Sequence, residues 1–373
     1  LWDTGKVDSS ETTHIVYEGQ ALASEQHCYW TVRVWDADGT PSAWAEPAMW
    51  SMGLLESSDW TAEWISYEDP REMTATREEL TLPPARYFRK DFTAKGPVRR
   101  AMLYATALGI CDPHLNGERV TEAFFLPGWT DYEKRVYYHT FDVTEQTREG
   151  ANTLGAILAD GWYSGYLGYG LLVGYGPDRC GRYFYGKTPS LKMQLVIEYE
   201  DGTRETVGTD PTWHVGTGGY HEADFLMGEA FDGRQGWDEP GFEADGWEPA
   251  VHASENGSLP VTYHDAGGTR EMDLGFKAPE CIEAYPMEPV LATQELAPVS
   301  ITEKQTGRYI VDFGQNFAGI IRLRATGPAG TAITIRHGEM LHPDGRLMTE
   351  NLRRARATNT LTLRGDPGGE TYE

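Results

Sequence analysis

The sequence predicts an all-β protein, a succession of β-sandwich and jelly-roll domains. Three observations carry this reading. Apolar and polar residues alternate in short runs bounded by Gly, Pro, Asn and Asp, the two-residue period of a strand with one face buried. Two-residue hairpin turns, Asn116-Gly117 and Asp201-Gly202, lie between such runs. No helical periodicity lasts beyond a few residues. The composition agrees, because 42 Gly and 21 Pro supply turns while 12 Trp and 20 Tyr suit pleated, half-buried surfaces.

Taken in order, residues 1–54 form the first block. Tyr29 to Trp35 alternates as a strand, Asp36-Ala37-Asp38-Gly39 makes a turn, and Ala48 to Met52 is a last extended piece. These resemble the final strands of a fibronectin type III or immunoglobulin-like sandwich, so the chain is expected to start inside a domain. Residues 55–278 form the second block. A polar boundary at Leu55 to Asp59 precedes an expected strand from Trp60 to Ile65, then a loop rich in Glu and Pro from Glu68 to Pro84. Strands follow at Tyr87 to Phe92, Arg100 to Ala107, Leu195 to Tyr199 and Thr206-Val207, the pattern of a jelly roll with long loops. Residues 279–373 form the third block. Pro279, Pro286, Pro289 and Pro298 punctuate a connector, and strands at Gly307 to Phe313, Gly319 to Ala325, Ala332 to Arg336 and Thr360 to Arg364 make a small sandwich. No closing strand is evident before Glu373, so this block is expected to be truncated.

The 57 acidic residues outnumber the 32 basic ones, for a net charge of −25. Nucleic-acid phosphates and anionic membranes are repelled by such a surface, whereas neutral ligands such as sugars are not. No apolar run approaches membrane-spanning length. Cys28, Cys111, Cys180 and Cys281 form no C-x-x-C pair, and buried free thiols are expected. No signal peptide is visible, but the chain opens at Leu1 rather than Met. The compartment stays open, with a slight lean to the cytoplasm over a secreted or periplasmic setting.

Candidate chemistry is sparse. Glu222, Asp224, Glu229 and Asp232 are the densest acids, yet Glu229 lies an odd number of residues beyond Glu222 and Asp224 and points to the other face of a regular strand. They are expected to be solvated loop acids, and no catalytic residue is assigned. His337, Glu339 and His342 give a weak metal pattern and are expected to be a polar rim served by nearby arginines. The Gly165 to Gly176 stretch, with Tyr166, Tyr169 and Tyr175, reads as an irregular loop able to offer rings to sugars or to its own core. In Leu158-Ala159-Asp160-Gly161-Trp162-Tyr163, a carboxylate beside two aromatics suits a sugar or a calcium ion. The alternative there is a strand end with Trp162 buried and Asp160 capping a turn.

Several stretches resemble the bacterial α-L-rhamnosidases, glycoside hydrolase family 78. Leu126-Pro127-Gly128-Trp129-Thr130-Asp131-Tyr132 with Lys134-Arg135-Val136 is similar to a signature of that family's N-terminal jelly roll, as is Gly228-Glu229-Ala230-Phe231-Asp232-Gly233-Arg234 followed by Trp237-Asp238. Asp312-Phe313-Gly314-Gln315-Asn316, His337-Gly338-Glu339 and Thr349-Glu350-Asn351-Leu352-Arg353 resemble the small sandwich ahead of the family's catalytic domain. Tyr29-Trp30, Arg33-Val34-Trp35-Asp36 and Ser42-Ala43-Trp44 resemble its leading fibronectin-like domain.

The resemblance implies the accessory β-region of an enzyme that hydrolyses terminal α-L-rhamnose, with inversion, by two carboxylates on a downstream helical barrel. A rhamnose-containing glycoside and that catalytic domain are the implied partners, and whether a homodimer forms stays open. The alternatives are a stand-alone carbohydrate-binding module and a ligand-free structural sandwich. No cofactor is required, but some family jelly rolls bind rhamnose through calcium, using an Asp-Asn pair before Trp-Tyr and an Asn on an earlier hairpin. The matching positions are Asn116, Asp160, Trp162 and Tyr163, with Asp160 as calcium ligand; Gly161 stands where the second Asn would be. An Asn at position 161 is therefore expected to strengthen such a site, provided the backbone there does not need a positive φ.

Overall fold

A computed structural model describes residues 2–168, 170–234, 236–238 and 240–373. The chain divides into two compact units, Leu1–Thr61 and Ala62–Glu373. Tyr169 of the Gly- and Tyr-rich stretch lies outside the described residues.

In the first unit His27–Trp30 pairs antiparallel with Ala48–Ser51, in the register Cys28 to Trp50. The expected strand stops at Trp30 instead of running to Trp35. Its chain stays extended and bonded nonetheless, since Ala45 N donates to Val32 O and Ser42 N to Val34 O, both at 2.8 Å. The Arg33 guanidinium lies over the Trp35 and Trp44 rings, 5.0 and 4.6 Å from their centroids. Asp36 closes the predicted turn by accepting from Asp38 N and Thr40 N.

The second unit is built on a sandwich. One sheet has the order Val251–His252, Ile65–Ser66, Ser190–Tyr199, Val98–Leu108, Arg135–Asp142, Cys281–Ala284, with Arg204–Gly208 also paired to Ser190–Tyr199. The other has the order Glu248–Pro249, His214–Thr217, Arg86–Ala94, Gly150–Ala159, Ile110–Leu115, Glu118–Arg119. Strand alternation fills the space between them: Leu191, Met193, Leu195 and Ile197 from one strand meet Leu103, Ala105 and Ala107 from its neighbour. Phe88, Leu154, Ala156, Leu158 and Trp213 close the core from the opposite sheet. All ten aliphatic side chains among these are essentially without solvent contact. Asn116 (φ 55°) and Gly117 (φ 87°) both take the left-handed backbone that the predicted hairpin turn requires.

The third block is woven into this unit. Tyr220–Asp224 and Gly228–Asp232 form a hairpin, and Gly228–Asp232 then pairs in parallel with Thr358–Thr362, which pairs with Ala332–Arg336. A closing strand does exist: Glu370–Tyr372 pairs with Leu323–Ala325. Its three residues and the Gly-rich stretch before it hide it from any alternation test. Two expected strands shrink, Trp60 to Ile65 to Ile65–Ser66 and Gly319 to Ala325 to Leu323–Ala325. Among the described residues helix is confined to short turns such as Gly161–Ser164 and Gly170–Val173. Cys28, Cys111 and Cys180 are buried free thiols as expected, whereas Cys281, on an edge strand, is exposed.

Removing residues 1–61 is expected to leave a cooperatively melting 62–373 protein, because the two units have separate contact networks. The 280–373 fragment alone is expected to aggregate, because it loses the strand that pairs with Thr358–Thr362. Differential scanning calorimetry and light scattering on the two fragments check this.

Candidate functional site

Asp160 follows the last residue of the Gly150–Ala159 strand and stands at the N-cap of the Gly161–Ser164 turn. Its own backbone is helical and its carboxylate makes no cap hydrogen bond. One oxygen accepts from Ser164 Oγ at 3.1 Å and the other is bonded to the Arg182 guanidinium. Arg182 is as deeply buried as its partner, donates to Thr81 O, and lies over the rings of Tyr166 and Tyr183. Burial works against the cation, but Asp160 outweighs it and holds the guanidinium firmly charged. The carboxylate offered to calcium by the sequence therefore already has a cation. Among the described residues no group of three or more His, Cys, Asp or Glu is placed to hold a metal ion.

Asn116 is not brought near Asp160. Its amide donates to Gln146 O and Asn152 Oδ1 at 2.8 Å, and its carbonyl accepts from Thr153 N at 2.9 Å. It is thus tied to the start of the strand whose far end carries Asp160, seven residues away or roughly 23 Å along the strand. One monosaccharide cannot touch both. Tyr163 is core, buried against Tyr132 and Leu108. Trp162 is half-buried beneath an aromatic patch: it stacks on Trp129 with rings at 4° and 6.0 Å, and packs on Phe225 at 4.4 Å. Phe125 joins the patch, with an exposed ring and a φ of 63°.

Gly161 has a φ of 50°, and a Cβ there would lie 2.7 Å from Ile110 Cγ1 and 3.0 Å from Ile110 N. The positive φ and the crowding both strain a side chain at this position, so the condition attached to an Asn there is not met.

The acids expected in solvent are held instead. Asp224 accepts from the backbone N–H groups of Tyr166, Leu226 and Met227, Glu222 pairs with Arg356 at 2.6 Å, and Asp232 pairs with Arg234. Glu229 lies between Tyr372, whose hydroxyl donates to it, and Asn359 at 3.3 Å, and burial pushes its pKa up to about 7. At the other weak pattern the partners are not arginines: His342 pairs with Glu350 and Glu339 accepts from Asn351.

A second polar cluster, whose members are far apart in sequence, lies on the outer face of the six-stranded sheet. In Ile110–Leu115, Cys111 and Leu115 face the core, so Asp112 and His114 face outward. His114 Nδ1 lies 2.6 Å from Asp238 Oδ2 and Nε2 lies 3.5 Å from Asp112. Burial disfavours the imidazolium, but the two carboxylates prevail and raise the pKa to about 8, so it is charged at neutral pH. Arg119 Nε is 3.0 Å from both oxygens of Asp112. Trp237 closes the cluster at 5.1 Å from the His114 ring. It lies on Gly155, where a Cβ would stand 2.6 Å from the indole. The alternation of polar residues in Asp112-Pro113-His114 was the available signal.

An all-β chain with one short two-stranded unit and one unit built on a β-sandwich has the build of a multidomain β-sandwich region. Three family descriptions match it in order: the Rha78A-like N-terminal immunoglobulin domain over residues 1–56, the α-L-rhamnosidase N-terminal domain over 96–270, and the bacterial α-L-rhamnosidase concanavalin-like domain over 302–373. The chain thus carries, in order, the accessory β-domains found in the α-L-rhamnosidases. An α-L-rhamnosidase of Streptomyces avermitilis is 30% identical across all of this chain and 49% of its own length, and one of Alteromonas sp. is 32% identical across 96% of this chain and 36% of its own. The crystal structure of the Streptomyces enzyme complexed with L-rhamnose aligns with 100% of this chain and 49% of that one at a TM-score of 0.83 and 29% identity. The Aspergillus terreus enzyme aligns with 98% of this chain and 39% of its own at a TM-score of 0.82 and 29% identity. The chain spans half or less of the length of these relatives.

Replacing Asp160 with Ala is expected to cost about 3–5 kcal/mol by stranding a buried guanidinium, and Gly161→Asn roughly 1–3 kcal/mol through strain and crowding. Urea melts with and without calcium check both, and a calcium-dependent rise in stability would contradict the ion-pair role. Glu229→Gln gives a pH signature. The folded pKa of about 7 exceeds the usual 4.5, so the stability this group contributes is full below pH 4.5 and lost as pH rises through 7. Relative to the Gln variant, the unaltered chain is expected to lose about 3 kcal/mol across that window. Melts at pH 5 and pH 8 measure it.

Proposed function

We propose that this chain is the accessory part of an enzyme that removes terminal α-L-rhamnose from glycosides, with catalysis carried by a separate helical domain. The ordered match of all three accessory domains supports this most directly. The relatives that extend well beyond the matched region are themselves α-L-rhamnosidases. On this reading a catalytic domain is also the partner of the third block. The paired strands Ser300–Gln305 and Arg308–Asp312 leave Ile301, Tyr309 and Val311 exposed, an apolar surface that a packed domain would cover. The sandwiches act as a rigid support for it, and Asp160 serves the fold rather than a sugar. A carbohydrate-binding role is the second reading, supported by the exposed rings of Phe125 and Trp129 over Trp162.

The purified 373-residue chain is expected to release no nitrophenol from a nitrophenyl α-L-rhamnoside above a heat-killed control. Release by this chain would overturn the accessory reading, and activity of a longer product that includes a helical domain would support it.

A further inference from the structure

The cluster on the outer face of the six-stranded sheet borders a recess of about 180 Å³. Tyr87 and Ile157 stand out from the sheet as its floor. Asp112, His114 and Arg119 form one wall, and Trp237 lies along another. Tyr220 and Phe231, cross-strand partners with rings 4.7 Å apart, form the third. A cavity near 150 Å³ holds a single six-membered ring, so the recess has room for one such ring.

Its electrostatics select the ligand. Asp112 is matched by Arg119 and Asp238 by charged His114, two anions against two cations. Neither a free anion nor a free cation finds an unmet charge there. Directed polar groups remain, however, because the Asp112 carboxylate and the Arg119 guanidinium keep part of their surface open beside the recess. A ligand hydroxyl could donate to the carboxylate and accept from the guanidinium. Aromatic rings around charged, mutually held side chains suit a molecule with apolar C–H faces and a rim of hydroxyls.

We propose that the recess bounded by Asp112, His114, Arg119, Tyr220, Phe231 and Trp237 is a calcium-independent binding site for one neutral pyranose. The site rests on this geometry and not on the rhamnosidase reading, so its failure would leave that reading intact. Trp237 in the wall supplies a fluorescence reporter.

The test titrates the whole chain with L-rhamnose, methyl α-L-rhamnoside, D-galactose and D-glucose in the presence of EDTA. Tryptophan fluorescence and saturation-transfer NMR provide the two readouts. At least one sugar is expected to bind with a Kd in roughly the millimolar range, given the small contact area. Asp112→Asn, which keeps the side-chain shape, is expected to weaken it about tenfold. Should that variant melt abnormally, Tyr220→Leu removes a wall without touching the charged groups and is expected to weaken binding comparably. Weakened binding in either folded variant supports the site. Binding by none of the four sugars, binding abolished by EDTA, or binding unchanged in both variants would each overturn it.

Discussion

Much of the second unit depends on the pairing of Gly150–Ala159 with Arg86–Ala94 on one side and Ile110–Leu115 on the other. Alternation along this strand sends Leu154, Ala156 and Leu158 into the core and leaves Gly155 and Ile157 on the outer face. A slip of one residue would invert both faces at once. The register is held at each end by polar groups: the Asn116 and Asn152 amides at the start, and the Asp160–Arg182 ion pair just past the finish. The strand thus fixes where Trp237 can lie and where Asp112 and His114 can meet Asp238.

Several of the buried charges follow one rule. Asp160 with Arg182, Arg89 with Asp91 and Asp238 with His114 are each paired inside the fold or at its edge, although the chain as a whole carries a large excess of acid. Such pairs add little net stability compared with apolar packing, since both partners give up water. What they do is penalise alternatives, because any arrangement that separates them strands a charge. Other buried acids have neutral partners instead: Asp224 and Glu370 accept from backbone N–H groups, and Glu229, beside Asn359, has its carboxyl pushed toward protonation.

The sandwich was legible where a signal is local. Asn116-Gly117 is a turn because both residues tolerate left-handed backbone, and Leu191 to Ile197 is a strand because its alternation lasts the full run. The site was less legible, for a physical reason. Asp160 beside Trp162 has the composition of a ligand site, but its true partner is Arg182, and nothing in the intervening loop announces that contact. Asp112 and His114 could be placed on one face from spacing alone. The group that turns them into a cluster, Asp238, lies 124 residues from His114. Likewise the exposed Glu222 to Asp232 acids of the sequence reading are strand residues because Thr358–Thr362, far downstream, completes their sheet.

That parallel pairing also has a meaning in time. The register joins Ala230 to Thr360, so on a ribosome adding roughly 5–20 residues per second the Gly228–Asp232 strand emerges about 6–26 seconds before its partner. Throughout that interval one edge of the Tyr220–Asp224 hairpin has no neighbour, and once Cys281–Ala284 has emerged every strand of the sandwich behind it is synthesised. The nascent protein therefore passes through a stage in which a finished jelly roll carries an open sheet edge, and synthesis rate over residues 233–362 sets how long a neighbouring chain has to capture it.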